Sequence, residues 1–554
     1  MTVSNARSGP PDFRGIFRDD DDARAVYAEA AGIARITPRA VAVPADAEDL
    51  VTLVRWAAAA RVPLIPRGSG SSMAGGAIGD GIVVDLSRWK TMGAVNAAAR
   101  TVRVQPGVLR RDVDRAACAR GLRFPVDPSS GAFCTIGGMA ATNAAGAHTL
   151  GFGSMRRWVT AVECVFADGS RATVRRGESL DAEASPVLAR AARLLGTSFR
   201  AEVMTAPAAH DVAKDSSGYA VDAFALSGDL VDLLVGSEGT LAFFTQIELD
   251  LAPMPGATSS VLAAFANLDD AVRGAVRARQ ASAVACELLD RTFLDVAAQG
   301  GGPRMVPQGT EAALLAEVEG DTSEQAADAA RSLEALFLDS GATETRVAVD
   351  PRVETELWEL RHAASPILSR LYASLKSMQF VEDSAVPPDR LPEYVRGVRA
   401  ILARHDTPGV IFGHAGDAHM HVNPLVDVRR ADWRQRVSAI LDDVVALTAS
   451  LGGTLSGEHG DGRLRTPLLD RVWTPSALAR VAQVKQVFDP TGFLNPGVKV
   501  PLPGERALVD IKYDPALPVP PTAAREALAR VERERAYAEF RLDMLAESGS
   551  AFSP

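Results

Sequence analysis

The segments HAGDAHMHVN at 414–423 and SGEHGDG at 456–462 concentrate the residue types that do chemistry. They hold four of the chain's eight histidines, His414, His419, His421 and His459, and Glu458 stands directly beside the last. Imidazole and carboxylate at this density are the ligand set of a borderline divalent cation such as zinc. A cation with an open position acidifies a bound hydroxyl, and an uncommitted imidazole beside it takes the proton. If 419–423 is a strand, His419, His421 and Asn423 share one face by two-residue alternation. Asp417 is either an orienting partner for a ligand imidazole or a turn residue.

Far upstream lie stretches rich in small residues. PRGSGSSMAGG at 66–76, TIGGMAATNAAGAHTLGFG at 135–153 and a third run from Gly236 to Leu241 allow backbone N–H groups to approach phosphate oxygens. Three such stretches point to a diphosphate-bearing cofactor held along an extended surface. Counting from Gly68, Met73 occupies the third glycine position of a Rossmann fingerprint, and no GK[ST] follows. NAD and a P-loop nucleotide are therefore disfavoured.

The intervening pattern says what positions these groups. At 554 residues the chain needs two or three domains. A polar arm with a short helix over 22–32 occupies 1–36. Alternating strands and helices (AVAVP, AEDLVTLVRWAAAA, VPLIP, GIVVDL, TVRVQPGV) run through 37–251, with a hairpin over 159–177. APMPG at 252–256 reads as a linker. The next unit, to 455, has the order β-α-β-β-α-β, which predicts a ferredoxin-like open sheet. Residues 456–500 return to the first domain, and 501–554 form a proline-rich tail and a charged, solvated helix that is also a candidate docking surface. The expected class is α+β with two domains.

A net charge of −10 supplies no basic stripe for nucleic acid. Cys118, Cys134, Cys164 and Cys286 lie far apart without CxxC, which encodes neither a zinc ribbon nor an iron–sulfur cluster. The acidic start and the lack of an apolar run near 20 residues predict a cytoplasmic protein, with peripheral membrane contact left open.

In their order, PRGSGSSMAGG, DPSSGAFCTIGGMAATNAAG, GSEGTLAFFT, HAGDAHMHVN, SGEHGDG and KQVFDPTGFLNPGVK resemble flavoproteins of the vanillyl-alcohol-oxidase or p-cresol-methylhydroxylase type. Within that superfamily the chain resembles the D-2-hydroxyacid dehydrogenases: D-lactate dehydrogenase, D-2-hydroxyglutarate dehydrogenase and the glycolate oxidase flavin subunit. The resemblance implies a two-lobed FAD-binding domain under a cap. It places the cofactor against Arg67, Gly68, Ser69, Gly70, Ser71, Ser72, Pro128, Ser129, Thr135, Gly138, Ala141, Thr142 and Gly146, then Glu238, Gly239, Ile247 and Asn495. Ser71 stands where covalently flavinylated members carry histidine, so FAD is expected to be non-covalent. Met139 replaces a frequent asparagine.

The resemblance also implies that His414, His421 and Glu458 hold the metal, zinc or another divalent ion, and that His459 is the base. His419 replaces a common asparagine. A substrate contact or a brace behind the ligands is favoured for it over direct ligation. Arg361, with Ser365 one turn later, is the expected clamp for a substrate carboxylate, since its fork pairs two oxygens. FVEDSAVP places Val381, Glu382 and Asp383 where a substrate lysine is frequent, leaving Lys376, Arg465 and Asn423 as further substrate contacts. The expected reaction is oxidation of a D-2-hydroxy acid to the 2-oxo acid. Electrons then pass to a quinone, a cytochrome, an electron-transfer flavoprotein or a separate iron–sulfur subunit, and a homodimer is left open. Competing readings are an oxidase of another alcohol or a sugar lactone, a metallohydrolase, and a flavin subunit of a larger iron–sulfur-linked complex.

Overall fold

The computed structural model describes residues 10, 12–205, 210–299, 305–348, 350–368 and 375–549. The first lobe is built on a four-stranded sheet in the order Ile16–Arg18, Ala40–Val43, Ile82–Asp85, Leu64–Arg67. Its last three strands are parallel. The helix Ala47–Ala60 is the crossover between two of them. Asp46 caps it by accepting the N–H of Asp49, Leu50, Leu53, Val54 and Ala57 are buried, and Arg61 ends it in the left-handed region. Strand Leu64–Arg67 thus delivers its C-terminal end into the loop 68–76, where open parallel sheets place ligands.

The second lobe is an antiparallel sheet in the order Thr101–Val104, Phe243–Asp250, Val159–Val165, Arg171–Arg175. The long strand Phe243–Asp250 pairs on both sides. Its core includes the helix Ile136–Thr142, which Thr135 caps.

The cap is an eight-stranded sheet. Four of its strands run Ala342–Ala348, Ala257–Phe265, Ala312–Gly320, Ala285–Asp290. That is the 4-1-3-2 order of a ferredoxin-like unit, with helices Leu268–Ala278 and Ser323–Asp339 between the strands. The sheet then continues through the hairpin Gly409–His414 and His419–Asp427 to Leu375–Ser377, with Ser384–Ala385 pairing beside it. The histidine segment is therefore a β-hairpin added to the edge of the unit. Its register sets His414 opposite His419, and Gly413 opposite Leu288.

Two expectations are corrected. APMPG is not a free linker, because Ala252–Pro253 pairs with Leu122–Arg123 in the second lobe. The charged tail helix is two helices, Thr522–Glu534 and Arg541–Gly549, and they dock on their own chain rather than stand in solvent. Ala524, Ala527, Val531, Leu542 and Leu545 pack with Val26, Tyr27 and Val41 of the first lobe. The apolar stripe was hidden because small alanines supply part of it. Among the described residues, no helix is long and apolar enough to cross a membrane.

Candidate active site

One cavity of about 600 Å³ runs between the lobes and the cap. Its walls include Arg67 through Ser72, Pro128, Ser129, Thr135, Gly138, Met139, Ala141, Thr142, Glu238 and Gly239 from the lobes, and Arg361, Lys376, His414, His421, Asn423, Glu458 and His459 beyond them. The glycines are needed where the loops touch. A Cβ on Gly68 would lie 2.2 Å from Thr135 Oγ1, and Gly70, at φ +72°, sits on the Arg67 guanidinium.

Three residues expected at the cofactor lie behind this wall. Ile247 is a fully buried core residue of the second lobe, as the strand's alternation turns it inward. Asn495 donates to the carbonyls of Gly76 and Glu238, fixing the loop rather than facing the cavity. Gly146 accepts from Lys214 Nζ, and a side chain there would strike the Asp127 carbonyl. Glu238 does reach the wall, but its carboxylate accepts the N–H groups of Asp461 and Gly462 and pairs with buried Lys499. It ties SGEHGDG to the second lobe.

The metal-type cluster assembles from the hairpin and from 456–462. His414 Nε2 lies 3.3 Å from Glu458 Oε1, His421 Nε2 lies 3.4 Å from the same oxygen, and the two imidazole nitrogens are 3.4 Å apart. Donors bound tetrahedrally at ~2.1 Å from one zinc-sized ion are ~3.4 Å apart. The outer nitrogens are fixed as donors. His421 Nδ1 donates to the Glu382 carbonyl at 2.7 Å, and His414 Nδ1 meets Glu287 Oε1 at 2.5 Å. Their inner lone pairs are thus aimed at one point, which is the arrangement a cation satisfies. Burial opposes charge on His414, but Glu287 and Glu458 outweigh it and raise its proton affinity, the same basicity that suits a ligand. Lys214, buried beside Gly146, holds Glu458 Oε2 at 3.2 Å. Burial works to neutralise Glu458, and Lys214 and His414 overcome it, keeping the carboxyl well below its usual range.

Asp417 orients no imidazole. It is the turn residue of the hairpin, paired with Lys214 and Arg279 at 3.6 Å each. Glu287, which sequence reasoning missed, does that work for His414. It also accepts from Arg361 Nε at 2.6 Å. Arg361 is buried, lies over the Phe412 ring at 5.0 Å and faces the cavity. The Ser365 side chain lies outside the described residues. Lys376 reaches the cavity with its ammonium over the Tyr513 ring.

His459 turns Nδ1 toward Glu382 Oε1 at 3.0 Å and Asp383 Oδ1 at 3.3 Å. Those carboxylates only accept, so Nδ1 carries a proton and Nε2, 3.6 Å from Glu458, remains the basic atom. Burial lowers its basicity, but Asp383 and Glu382 reverse this and bring it to about 9. Arg465 is not at the cavity. The short helix Gly462–Arg465 faces inward, and the guanidinium binds both Glu382 oxygens, at 2.5 and 2.6 Å. Glu382 and Asp383 therefore hold the His459 ring in place, and Glu382 also reaches the cavity wall. His419 is fully buried and also absent from the cavity wall, which removes the substrate-contact reading.

A histidine that sequence reasoning also missed joins the domains. His148 Nδ1 binds Asp127 at 2.6 Å, Nε2 binds Glu317 of the cap at 3.0 Å, and the ring stacks on Trp358. Arg123 and Glu319 form a further bidentate pair across the boundary. Burial disfavours the imidazolium, but Asp127 and Glu317 raise the His148 pKa well above its ordinary value. A raised folded pKa stabilises fully below the unfolded value of ~6.5 and loses that contribution as pH climbs through the folded value. Burial would raise the Asp127 pKa, yet His148 lowers it, so its own contribution is lost on acidification. His148→Gln is expected to lower stability by about 1.5–3 kcal/mol in urea unfolding at neutral pH. The gap to native protein should shrink at alkaline pH; a gap constant with pH would exclude the charged clamp.

The glycine-walled cleft under its cap fits the flavoprotein fold that the resemblance implies, and the comparisons with known proteins agree. The FAD binding domain family matches residues 38–175, and the family of FAD linked oxidases, C-terminal domain, matches 254–498. Glycolate oxidase subunit GlcD of Bacillus subtilis is 30% identical over 500 residues, 88% of this chain and 94% of that protein. D-lactate dehydrogenase of Archaeoglobus fulgidus is 30% identical over 472 residues, 83% and 92% of the two chains. Among solved structures, p-cresol methylhydroxylase superposes with a TM-score of 0.62 at 12% identity, covering 88% and 94%, a likeness of fold alone. The chain belongs to this family of FAD-linked oxidoreductases; it is an FAD-binding enzyme of the vanillyl-alcohol-oxidase and p-cresol-methylhydroxylase fold.

Proposed function

We propose that the chain oxidises a D-2-hydroxy acid to the 2-oxo acid, using non-covalent FAD and a divalent cation held by His414, His421 and Glu458. The observation that carries this is the convergence of those three donor atoms, 3.3–3.4 Å apart, in the same cavity as His459 and Arg361. When bound, the flavin supplies a hydride acceptor and the cation a Lewis acid for the substrate hydroxyl. Arg361, fixed by Glu287 and Phe412, pairs with the substrate carboxylate. His459 Nε2 takes the hydroxyl proton while the C2 hydride leaves, and Glu382 and Asp383 hold the resulting imidazolium. Small residues at 68–72 and 135–142 carry the cofactor's diphosphate, and Ser71 in the first loop has no nucleophilic ring for a flavin bond. Electrons leave to a non-NAD acceptor: a quinone, cytochrome, electron-transfer flavoprotein or iron–sulfur subunit. The names of the two relatives, a glycolate oxidase subunit and a D-lactate dehydrogenase, support the substrate class.

A screen of D- and L-2-hydroxy acids with a dye acceptor, before and after chelator dialysis, tests this. Turnover is expected with D acids, lost by at least tenfold on chelation and restored by zinc, cobalt or manganese. Full activity in the metal-stripped protein would remove the cation, and activity only on non-acid alcohols would remove the substrate class.

A further inference from the structure

His419 is the member of the cluster that the mechanism does not use. Its ring is fully buried, and its Nδ1 is a buried polar atom with no hydrogen-bond partner. Buried polar atoms are rarely left so. The other nitrogen is committed: Nε2 lies 2.9 Å from Asp383 Oδ1, which only accepts, so the proton sits on Nε2 and Nδ1 presents a lone pair. That lone pair faces Glu458 Oε2 at 3.9 Å. Two acceptors facing each other at this distance repel unless something positive lies between them.

We infer that His419, through Nδ1, is a fourth protein ligand to the cation. This rests on the reading that a cation binds there at all. His414, His419, His421 and Glu458 each offer a ligand atom, all within 4.8 Å of one another. Two donors ~2.1 Å from a common ion are at most ~4.2 Å apart and ~3.4 Å apart when bound tetrahedrally, so capture needs the widest pair to close by roughly 0.6–1.4 Å. The second grouping of donors, Asp383, His421, Glu458 and His459, is spoken for. Asp383 already accepts from His419 and from the His459 N–H, and pairs with Arg465.

The backbone is shaped for this ring. A Cβ on Gly457 would lie 2.6 Å from His419 Cδ2 and Nε2, so the imidazole lies flat on the glycine that precedes Glu458. Asp383 holds its far side through Nε2. Since His419 sits behind the cavity wall, it binds the ion from the protein side and leaves the cavity side to substrate. The consequence is a change in metal preference. Three imidazoles and one carboxylate favour zinc or cobalt over manganese or magnesium, where two imidazoles and a carboxylate discriminate less.

X-ray absorption of the zinc-loaded holoenzyme counts imidazoles directly and needs no variant. Three imidazole shells are expected in the native protein and two in His419→Asn, with the flavin spectrum unchanged. Competition with a chelator should show zinc affinity falling more than ~100-fold in His419→Asn, beyond the 10–100-fold typical of losing an outer partner. Native protein with two imidazoles, or a variant of equal zinc affinity, overturns the fourth ligand while leaving the cation. Native protein that takes up no zinc, cobalt or manganese overturns the cation itself, and the two failures are told apart in one titration.

Discussion

His459→Ala is expected to lower kcat on the preferred 2-hydroxy acid by about 10²–10⁴-fold, with flavin content and KM little changed. The residue's Nε2 faces the cavity and its Nδ1 is held by Glu382 and Asp383, so alanine removes the proton acceptor and leaves the binding walls standing. His459→Asn keeps much of the shape and the Nδ1-side hydrogen bond but has no basic atom, so it should be as impaired as alanine. Stopped-flow flavin reduction at 450 nm isolates the step. The decisive measurement is the pH dependence of that rate. Native enzyme should gain activity as pH rises through about 9 and Nε2 loses its proton, and the variants' residual rate should rise with hydroxide without that titration. Equal reduction rates in native and variant enzyme would remove His459 from proton transfer.

Glu287→Ala should be the most damaging single change to the architecture of the site. The carboxylate is completely buried between His414 and Arg361. Burial alone would neutralise it, but His414 and Arg361 hold it well below the usual carboxylate range. Removing it leaves buried Arg361 without its partner, a change that costs about 3–5 kcal/mol in comparable buried pairs. It also frees the His414 ring, for which a loss of 10–100-fold in metal affinity is typical. Both effects are expected together: a lower urea midpoint and weaker zinc binding by chelator competition. Glu287→Gln retains the shape and one hydrogen bond and should recover part of the stability but little of the affinity. A variant with native stability and native zinc affinity would show that the pair is dispensable.

What could be read from the residues, and what could not, follows from how each group is placed. His414, His421 and Glu458 sit in two short segments dense in histidine and carboxylate, and the family resemblance, not periodicity, singles them out as one ligand set. Glu287 stands alone in the apolar strand ACELLD, and only the pairing of Leu288 with Gly413 brings it to His414. Nothing in a single sequence states which strands become neighbours. Arg465 illustrates the opposite error. A cation after SGEHGDG invites an anion-binding role, yet a four-residue helix turns it inward onto Glu382. His148 lay in plain view within a glycine-rich stretch, but its partners Asp127 and Glu317 belong to different domains. The ferredoxin-like order was legible from periodicity, and its extension by the histidine hairpin was not.

The tail that docks on the first lobe also supplies Lys512, Tyr513, Glu532, Arg535 and Tyr537 to the cavity wall, with Tyr537 packed on Phe133 at 5.1 Å. The cleft is therefore enclosed by three separate stretches of chain: the glycine-rich lobes, the cap and the tail. A ligand that touches all three couples their stabilities through mass action. At a free concentration of a hundred times Kd it adds about 2.7 kcal/mol to every opening that must first release it. In the holoenzyme the tail and the cap are therefore expected to open together with the lobes, which hydrogen exchange with and without flavin checks. Without its flavin that added coupling is lost, and the parts are held only by their direct contacts, such as His148 between Asp127 and Glu317.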